Sequence, residues 1–194
     1  PNTGQVLAMA NTPSYRPDQV SKVDDVALFN NTTISEPYEP ASVFKTFTMS
    51  AALEKGVITP TTTYVNTDYT KVQDRTIQNA TKGQTGKIDM QRVLTWSLNT
   101  GTVQIARWLG DGQSITYGAR QTIYDYFHNK FRLDQKTGIE LAGEVGGLML
   151  SPDDPDGNDV RYSNMTFGQG LDVTMIQVAS SFCSVVNLSL IHIS

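Results

Sequence analysis

The stretch Glu39-Pro40-Ala41-Ser42-Val43-Phe44-Lys45 sets a hydroxyl and an amine three residues apart. On a helix this spacing brings both side chains onto one face, one turn apart, so that a neutral Lys45 amine can approach the Ser42 hydroxyl. Serine is a weak nucleophile at neutral pH and needs such a base beside it to become acylable. S-x-x-K also arises by chance on solvated helical faces, so the pair requires context. Pro40 precedes a crowded apolar run, Val43, Phe44, Phe47, Met49, Ala51, Ala52 and Leu53, which suits a helix buried on most of its surface. Ser42 falls in the first turn, where unpaired backbone N–H groups and the positive helix end favour developing negative charge. Gly56 and then Pro60 end the run.

A second feature is Ser97-Leu98-Asn99, between a segment Ile88 to Trp96 and a helical-looking Val103 to Leu109. Such a tripeptide is an ordinary connection between helices. Its side chains are nonetheless suited to a site: Ser97 can relay a proton, and Asn99 can hold a peptide carbonyl and orient Lys45.

Taken in order, EPASVFKTFTMSAALEKG (39–56), SLNTGTVQIARWLG (97–110), KTGIELAGEVGG (136–147) and FGQGLDVTMIQVASSF (167–182) resemble the transpeptidase domain of class B penicillin-binding proteins. S-x-x-K followed by S-x-N belongs to the wider penicillin-binding and serine beta-lactamase superfamily, while TGIELAGE and FGQG resemble the class B type. The opening GQVLAMANTPSYRPD (4–18) is similar to the family's first core hairpin. The resemblance implies an α/β, penicillin-binding protein or serine beta-lactamase-like transpeptidase fold, here incomplete: mostly its helical part plus the N-terminal hairpin.

It further implies a peptidoglycan D,D-transpeptidase that crosslinks stem peptides through a serine acyl-enzyme and binds penicillin covalently. Ser42 is then the nucleophile, Lys45 its base, Ser97 a proton relay and Asn99 the holder of the substrate amide. The implied partners are peptidoglycan stem peptides and beta-lactams, with a glycosyltransferase and divisome or elongasome membrane proteins engaged through regions outside this chain. No cofactor is implied. The implied location is the extracytoplasmic face of the bacterial membrane, anchored by an upstream segment. Two enzymatic alternatives share the first two motifs, a serine beta-lactamase and a D,D-carboxypeptidase. Both must deliver water to the acyl-enzyme, and no E-x-x-L-N segment follows Asn99; Glu140 and Glu144 sit in TGIELAGE, a context that suits shaping a loop. A non-catalytic penicillin-sensing or scaffold domain is the alternative of a different class.

The superfamily's third signature, K-[ST]-G on a strand opposite the serine helix, is matched in letters by Lys136-Thr137-Gly138. Ile139 follows it, and it precedes FGQG, so it reads as a structural loop. The true third motif is expected beyond residue 187. Without it one oxyanion donor is missing, a loss of about 3 kcal/mol of transition-state stabilisation. Loss of a cationic neighbour is also expected to let the Lys45 pKa rise, leaving the 194-residue chain with little turnover. Residues 1–187 are thus expected to be a partial transpeptidase domain with its first hairpin unpaired and its serine helix partly uncovered. Asn187 to Ser194 departs from the pattern and reads as a non-native tail.

The remaining composition excludes more than it adds. With 15 basic and 19 acidic residues and a net charge of −4, the chain has no basic run to suit nucleic acid or anionic lipid. No apolar stretch reaches about 18 residues. The single cysteine, Cys183, falls in an apolar helix and suits packing; His128 and His192 have no ligand-spaced companions, so no metal is expected. Asp153 to Asp159 resembles a calcium loop in composition but lacks the closing glutamate, and Gly83-Gln-Thr-Gly86 is too sparse for a phosphate loop. The periodicity predicts a strand over 5–10, a polar crossover to about 38, helices near 42–55, 88–98, 102–109, 116–127 and 173–186, short extended pieces within 59–86, and a loop over 143–163.

Overall fold

A computed structural model describes residues 3–187; the expected tail over 188–194 lies outside them. After an extended start and 3-10 turns at Pro17–Lys22 and Val26–Phe29, the first α-helix is the single turn α1 (Thr32–Ser35). Asn31 caps it by accepting the Thr33 N–H. A 3-10 turn, Ala41–Phe44, leads directly into α2 (Lys45–Glu54), so the serine helix is formed as expected, with Ser42 on a tighter first turn.

The Thr-rich connection folds into two small antiparallel ladders. β1 (Thr63–Asn66) pairs with β4 (Gly86–Asp89), with Thr63 opposite Asp89 and Asn66 opposite Gly86; between them β2 (Tyr69–Val72) and β3 (Arg75–Gln78) form a hairpin. β4 runs to Asp89, whose carboxylate accepts the Arg92 N–H at 2.8 Å and starts α3 (Met90–Thr95), two residues later than the apolar pattern suggests. α4 (Asn99–Trp108) begins at Asn99 itself. α3 and α4 approach closely enough that a Cβ on Gly101 would lie 2.5 Å from the nearer Val93 methyl, which only glycine permits.

α5 (Tyr117–Tyr124) passes into a π-helical turn, Asp125–Lys130, instead of continuing regularly to 127. The expected loop over 143–163 is interrupted by α6 (Asp159–Met165), because Asn158 accepts the Arg161 N–H at 3.0 Å and caps a helix hidden behind an Asp/Gly/Pro run. α7 (Met175–Asn187) closes the described chain.

α2 lies between two apolar clusters. Phe44, Phe47 and Ala51 face Val103, Phe127, Phe131, Tyr162 and Phe167, while Met49 and Ala52 face Ile58, Ile88, Val93, Leu98 and Ile105. Phe44 stands edge-on to Phe127 at 4.8 Å, and Phe47 to Phe182 at 5.1 Å. The serine helix is therefore well covered, contrary to expectation. Uncovered apolar surface lies instead on the N-terminal segment and on α7, where Leu7 is 92% and Met175 54% exposed. Residues 5–10 are extended but form no ladder: a strand exists only with a partner strand, and no backbone–backbone hydrogen bond joins them to another segment among the described residues. A cavity of about 620 Å³ separates them from Thr137–Ile139 and α7; Cys183 lines it, half-buried, and none of Ser42, Lys45, Ser97 and Asn99 does.

Candidate active site

The start of α2 and the α3–α4 junction bring Ser42, Lys45 and Ser97 together. Ser42 is exposed at the surface, whereas Lys45, on the first residue of α2, is 1% exposed. Lys45 Nζ lies 3.0 Å from Ser42 Oγ, 2.7 Å from the Ser97 carbonyl and 2.9 Å from Ser97 Oγ. A protonated lysine donates all three bonds. Once it loses a proton, the Ser42 contact can reverse, with the hydroxyl donating to the nitrogen lone pair; that is the geometry of a general base at hydrogen-bond reach.

Burial favours that neutral form. It pushes the Lys45 pKa down from 10.5 to about 8. At pH 7 roughly a tenth of such a lysine is neutral, against well under about a thousandth at the ordinary value. Desolvation alone produces this shift, with no neighbouring cation contributing to it.

Ser97 is placed by the end of α3. It takes φ +54°, while its N–H donates to Leu94 O at 3.1 Å and the Leu98 N–H to Val93 O at 2.9 Å. These are the paired bonds of a Schellman cap, with Leu98 and Val93, both fully buried, as its apolar contact. The left-handed position of such a cap normally belongs to glycine. A serine there costs about 1 kcal/mol of backbone strain and aims its carbonyl and hydroxyl together at Lys45.

Asn99 is on the same junction but is not hydrogen-bonded to Lys45; its Nδ2 donates to Gln78 O at 2.9 Å, tying α4 to β3. Beneath it lies a buried polar cluster that sequence reasoning missed. The Thr100 hydroxyl is 2.8 Å from Asn66 Oδ1, 3.1 Å from Asn79 Oδ1 and 2.9 Å from the Tyr64 hydroxyl. Asn79 Oδ1 also accepts the Thr100 N–H at 3.0 Å, and Asn79 Nδ2 donates to Asn66 Oδ1 at 3.1 Å. Asn66, Asn79 and Thr100 are each no more than 3% exposed, and burial raises the Tyr64 pKa. No periodic or motif signal marks these residues.

The other singled-out groups have structural partners. The Glu144 carboxylate accepts the Thr137 N–H and hydroxyl, both at 2.6 Å, and the Gly138 N–H at 3.0 Å, so Lys136-Thr137-Gly138 is a clasped loop. In the acidic run, Asp153 accepts from the Tyr117 hydroxyl and Asp159 pairs with Arg120. His128 bonds Asp134 at 2.8 Å and stacks on Tyr124. Among the described residues no three His, Cys, Asp or Glu side chains are arranged to hold a metal ion, and no helix is long and apolar enough to cross a membrane.

Residues 1–193 match a family model described as the penicillin binding protein transpeptidase domain. The chain is 30% identical over 185 residues to penicillin-binding protein PbpB of Mycolicibacterium smegmatis, covering 95% of this chain and 27% of that protein. It is equally 30% identical over 185 residues to peptidoglycan D,D-transpeptidase FtsI of Escherichia coli K12, covering 95% of this chain and 29% of that one. It thus spans under a third of the length of these relatives. Among solved structures, penicillin binding protein 3 of Mycobacterium tuberculosis complexed with aztreonam superposes with a TM-score of 0.70 at 28% identity, over 81% of this chain and 33% of that chain. A peptidoglycan glycosyltransferase from Burkholderia ambifaria shares the fold with a TM-score of 0.75 at 22% identity, over 95% of this chain and 50% of that chain.

Proposed function

The chain belongs to the penicillin-binding protein transpeptidase family, and from that premise we propose that it is the acyl-transfer portion of a class B peptidoglycan D,D-transpeptidase. The reading is carried by one observation, a buried lysine nitrogen 3.0 Å from an exposed serine hydroxyl and simultaneously bonded to Ser97. Ser42 Oγ adds to the penultimate carbonyl of a stem peptide ending in D-Ala-D-Ala as neutral Lys45 takes its proton. The tetrahedral intermediate collapses with cleavage of the peptide bond; Ser97 passes the proton held by Lys45 to the departing D-alanine nitrogen, leaving an ester on Ser42. An amine from a neighbouring stem then attacks the ester and forms the crosslink, returning the proton to Ser42. Asn99 holds the substrate amide beside the bond that breaks.

A beta-lactam acylates Ser42 by the same attack, its opened ring remaining attached in place of a departing group. A hydrolytic reading of the class A type needs a glutamate to activate water, and Glu144 is engaged by the 137–138 loop. The domain works at the extracytoplasmic face of the membrane, beside a glycosyltransferase and the membrane proteins of division or elongation.

Covalent labelling by a fluorescent penicillin tests the reading, on the 194-residue chain and on the full-length protein, with Ser42→Ala in each. Serine-dependent labelling of the full-length protein is expected, with weak labelling of the shorter chain. A folded full-length protein that takes no label would overturn the enzyme and favour a scaffold, and label retained by Ser42→Ala would overturn the nucleophile.

A further inference from the structure

We infer that Gly168 and Glu39 are positioning residues that orient the Ser42 backbone N–H as an oxyanion donor, an inference that rests on the acyl-transfer reading above. Ala41, immediately before the nucleophile, has φ +54°, a left-handed conformation uncommon for a residue with a side chain. Its N–H donates to Gly168 O at 2.9 Å, and two residues further the Gly170 N–H donates to Glu39 Oε1 at 2.7 Å. Tyr38 and Val173 exchange two backbone hydrogen bonds of 3.0 Å. The segment leading to Ser42 is therefore fastened at three successive levels to residues 168–173.

Gly168 is the point of closest approach. A Cβ built on it would lie 2.1 Å from Ala41 O and 2.8 Å from Ala41 C and N, so backbone packs on backbone with no room for a side chain. The Ala41 carbonyl and the Ser42 N–H belong to one planar peptide group and point opposite ways. Whatever fixes the first fixes the second. Gly168 is itself backed by Thr166, fully buried, whose carbonyl accepts from Thr48 at 2.8 Å on α2 and whose hydroxyl bonds Thr102 at 3.1 Å on α4. The support thus runs from two core helices through Thr166 and Gly168 to the peptide behind the nucleophile. An N–H aimed in advance at the developing oxyanion stabilises the transition state without reorganising during reaction.

The test separates the dissociation constant of the encounter complex from the first-order acylation constant, using a chromogenic or fluorescent penicillin on the full-length protein across pH. Gly168→Ala is expected to lower the acylation constant by roughly 30-fold or more, as loss of an oriented oxyanion donor does. The encounter constant and the pH midpoint set by Lys45 stay where they were. Glu39→Ala lowers acylation by roughly fivefold to tenfold, and Glu39→Gln, which keeps an oxygen for the Gly170 N–H, restores most of it. If Gly168→Ala does not fold, the Glu39 pair decides. Wild-type acylation constants in both Gly168→Ala and Glu39→Ala would overturn the inference. So would a parallel change of encounter constant, acylation constant and pH midpoint, the mark of general structural damage. A wild-type protein that takes no label removes the acyl-transfer reading, and this inference with it.

Discussion

Ser42, just before α2, and Asn99, at the start of α4, are supported by different kinds of atoms. Behind Ser42 the supports are mainly peptide groups, Tyr38 with Val173 and Ala41 with Gly168, joined by one side chain, the Glu39 carboxylate that accepts the Gly170 N–H. Beneath Asn99 they are mainly side chains: Thr100, Asn79, Asn66 and Tyr64 bond one another in a buried cluster that Asp68 and the Gln84 carbonyl complete. A peptide clamp tolerates many substitutions and fails where a Cβ intrudes. A side-chain cluster fails at any member, because deleting one partner leaves the others buried without a bond. The nucleophile's placement is therefore sensitive at few positions and steeply, that of the asparagine at many positions and more evenly.

Removing the base beside Ser42 has the largest effect. Lys45→Met is expected to lower the penicillin acylation constant by roughly a thousandfold, the middle of the range for general-base loss. In the wild type the constant should climb with pH through the Lys45 value of about 8 and level off above it, since only the neutral amine accepts the serine proton. A flat profile between pH 6 and 10 would deny Lys45 this role.

The same substitution should raise stability. With the Lys45 pKa near 8 when folded and 10.5 when unfolded, the unfolded chain binds more protons between these values, so this lysine's contribution to stability rises with pH across that window. Below pH 8 the whole cost of burying it is present, on the order of 3 kcal/mol. Chemical denaturation should find Lys45→Met more stable than the wild type at pH 7, with the gap closing toward pH 10.5; an equal gap at both pH values would contradict the buried-amine picture.

On the asparagine side, Thr100→Val keeps shape but removes a hydroxyl shared by three buried partners. It should cost about 2 kcal/mol in urea unfolding, while Thr100→Ser costs under about 1 kcal/mol. Equal losses from the two would mean that the methyl group, not the hydroxyl, matters. The smallest effect is expected at Ser97. Ser97→Gly relieves the left-handed strain and should gain about 1 kcal/mol of stability, while losing the hydroxyl slows acylation by roughly tenfold. Stability and rate moving down together would show that Ser97 is not strained.

The contrast between the two sides also accounts for what could be read in advance. Ser42 and Lys45 were legible because a three-residue spacing is local geometry. Ser97 reaches Lys45 across 52 positions, a juxtaposition that spacing cannot reveal and that only the family resemblance supplied. Gly168 was visible as a letter in a motif, but its reason, a carbonyl 2.1 Å from where a Cβ would be, is a tertiary fact. Asn66 and Asn79 left no trace, since polar residues in a Thr-rich connection look solvated until the ladders close over them, and Thr100 was visible only as a letter after Asn99. α6 was hidden for a similar reason, its Asn158 cap lying in a run that reads as a turn. Residues 5–10 carry strand-like alternation and remain a lone extended segment, because pairing is decided elsewhere in the chain.

The long reach of the peptide clamp bears on the order in which the site assembles. The Lys45–Ser97 bond closes 52 positions and the Glu39–Gly170 bond 131, a difference of about 0.8 kcal/mol in chain entropy. During synthesis the disparity is also one of time. Residues through Ser97 emerge on the order of several seconds before Gly170 at ribosomal elongation rates. A nascent chain can therefore pair Ser42 with its base while the peptide between Ala41 and Ser42 still has nothing to hold it. On the positioning role inferred for Gly168, reactivity waits for residues 168–170 to emerge, and the serine stays sluggish until the peptide behind it is held.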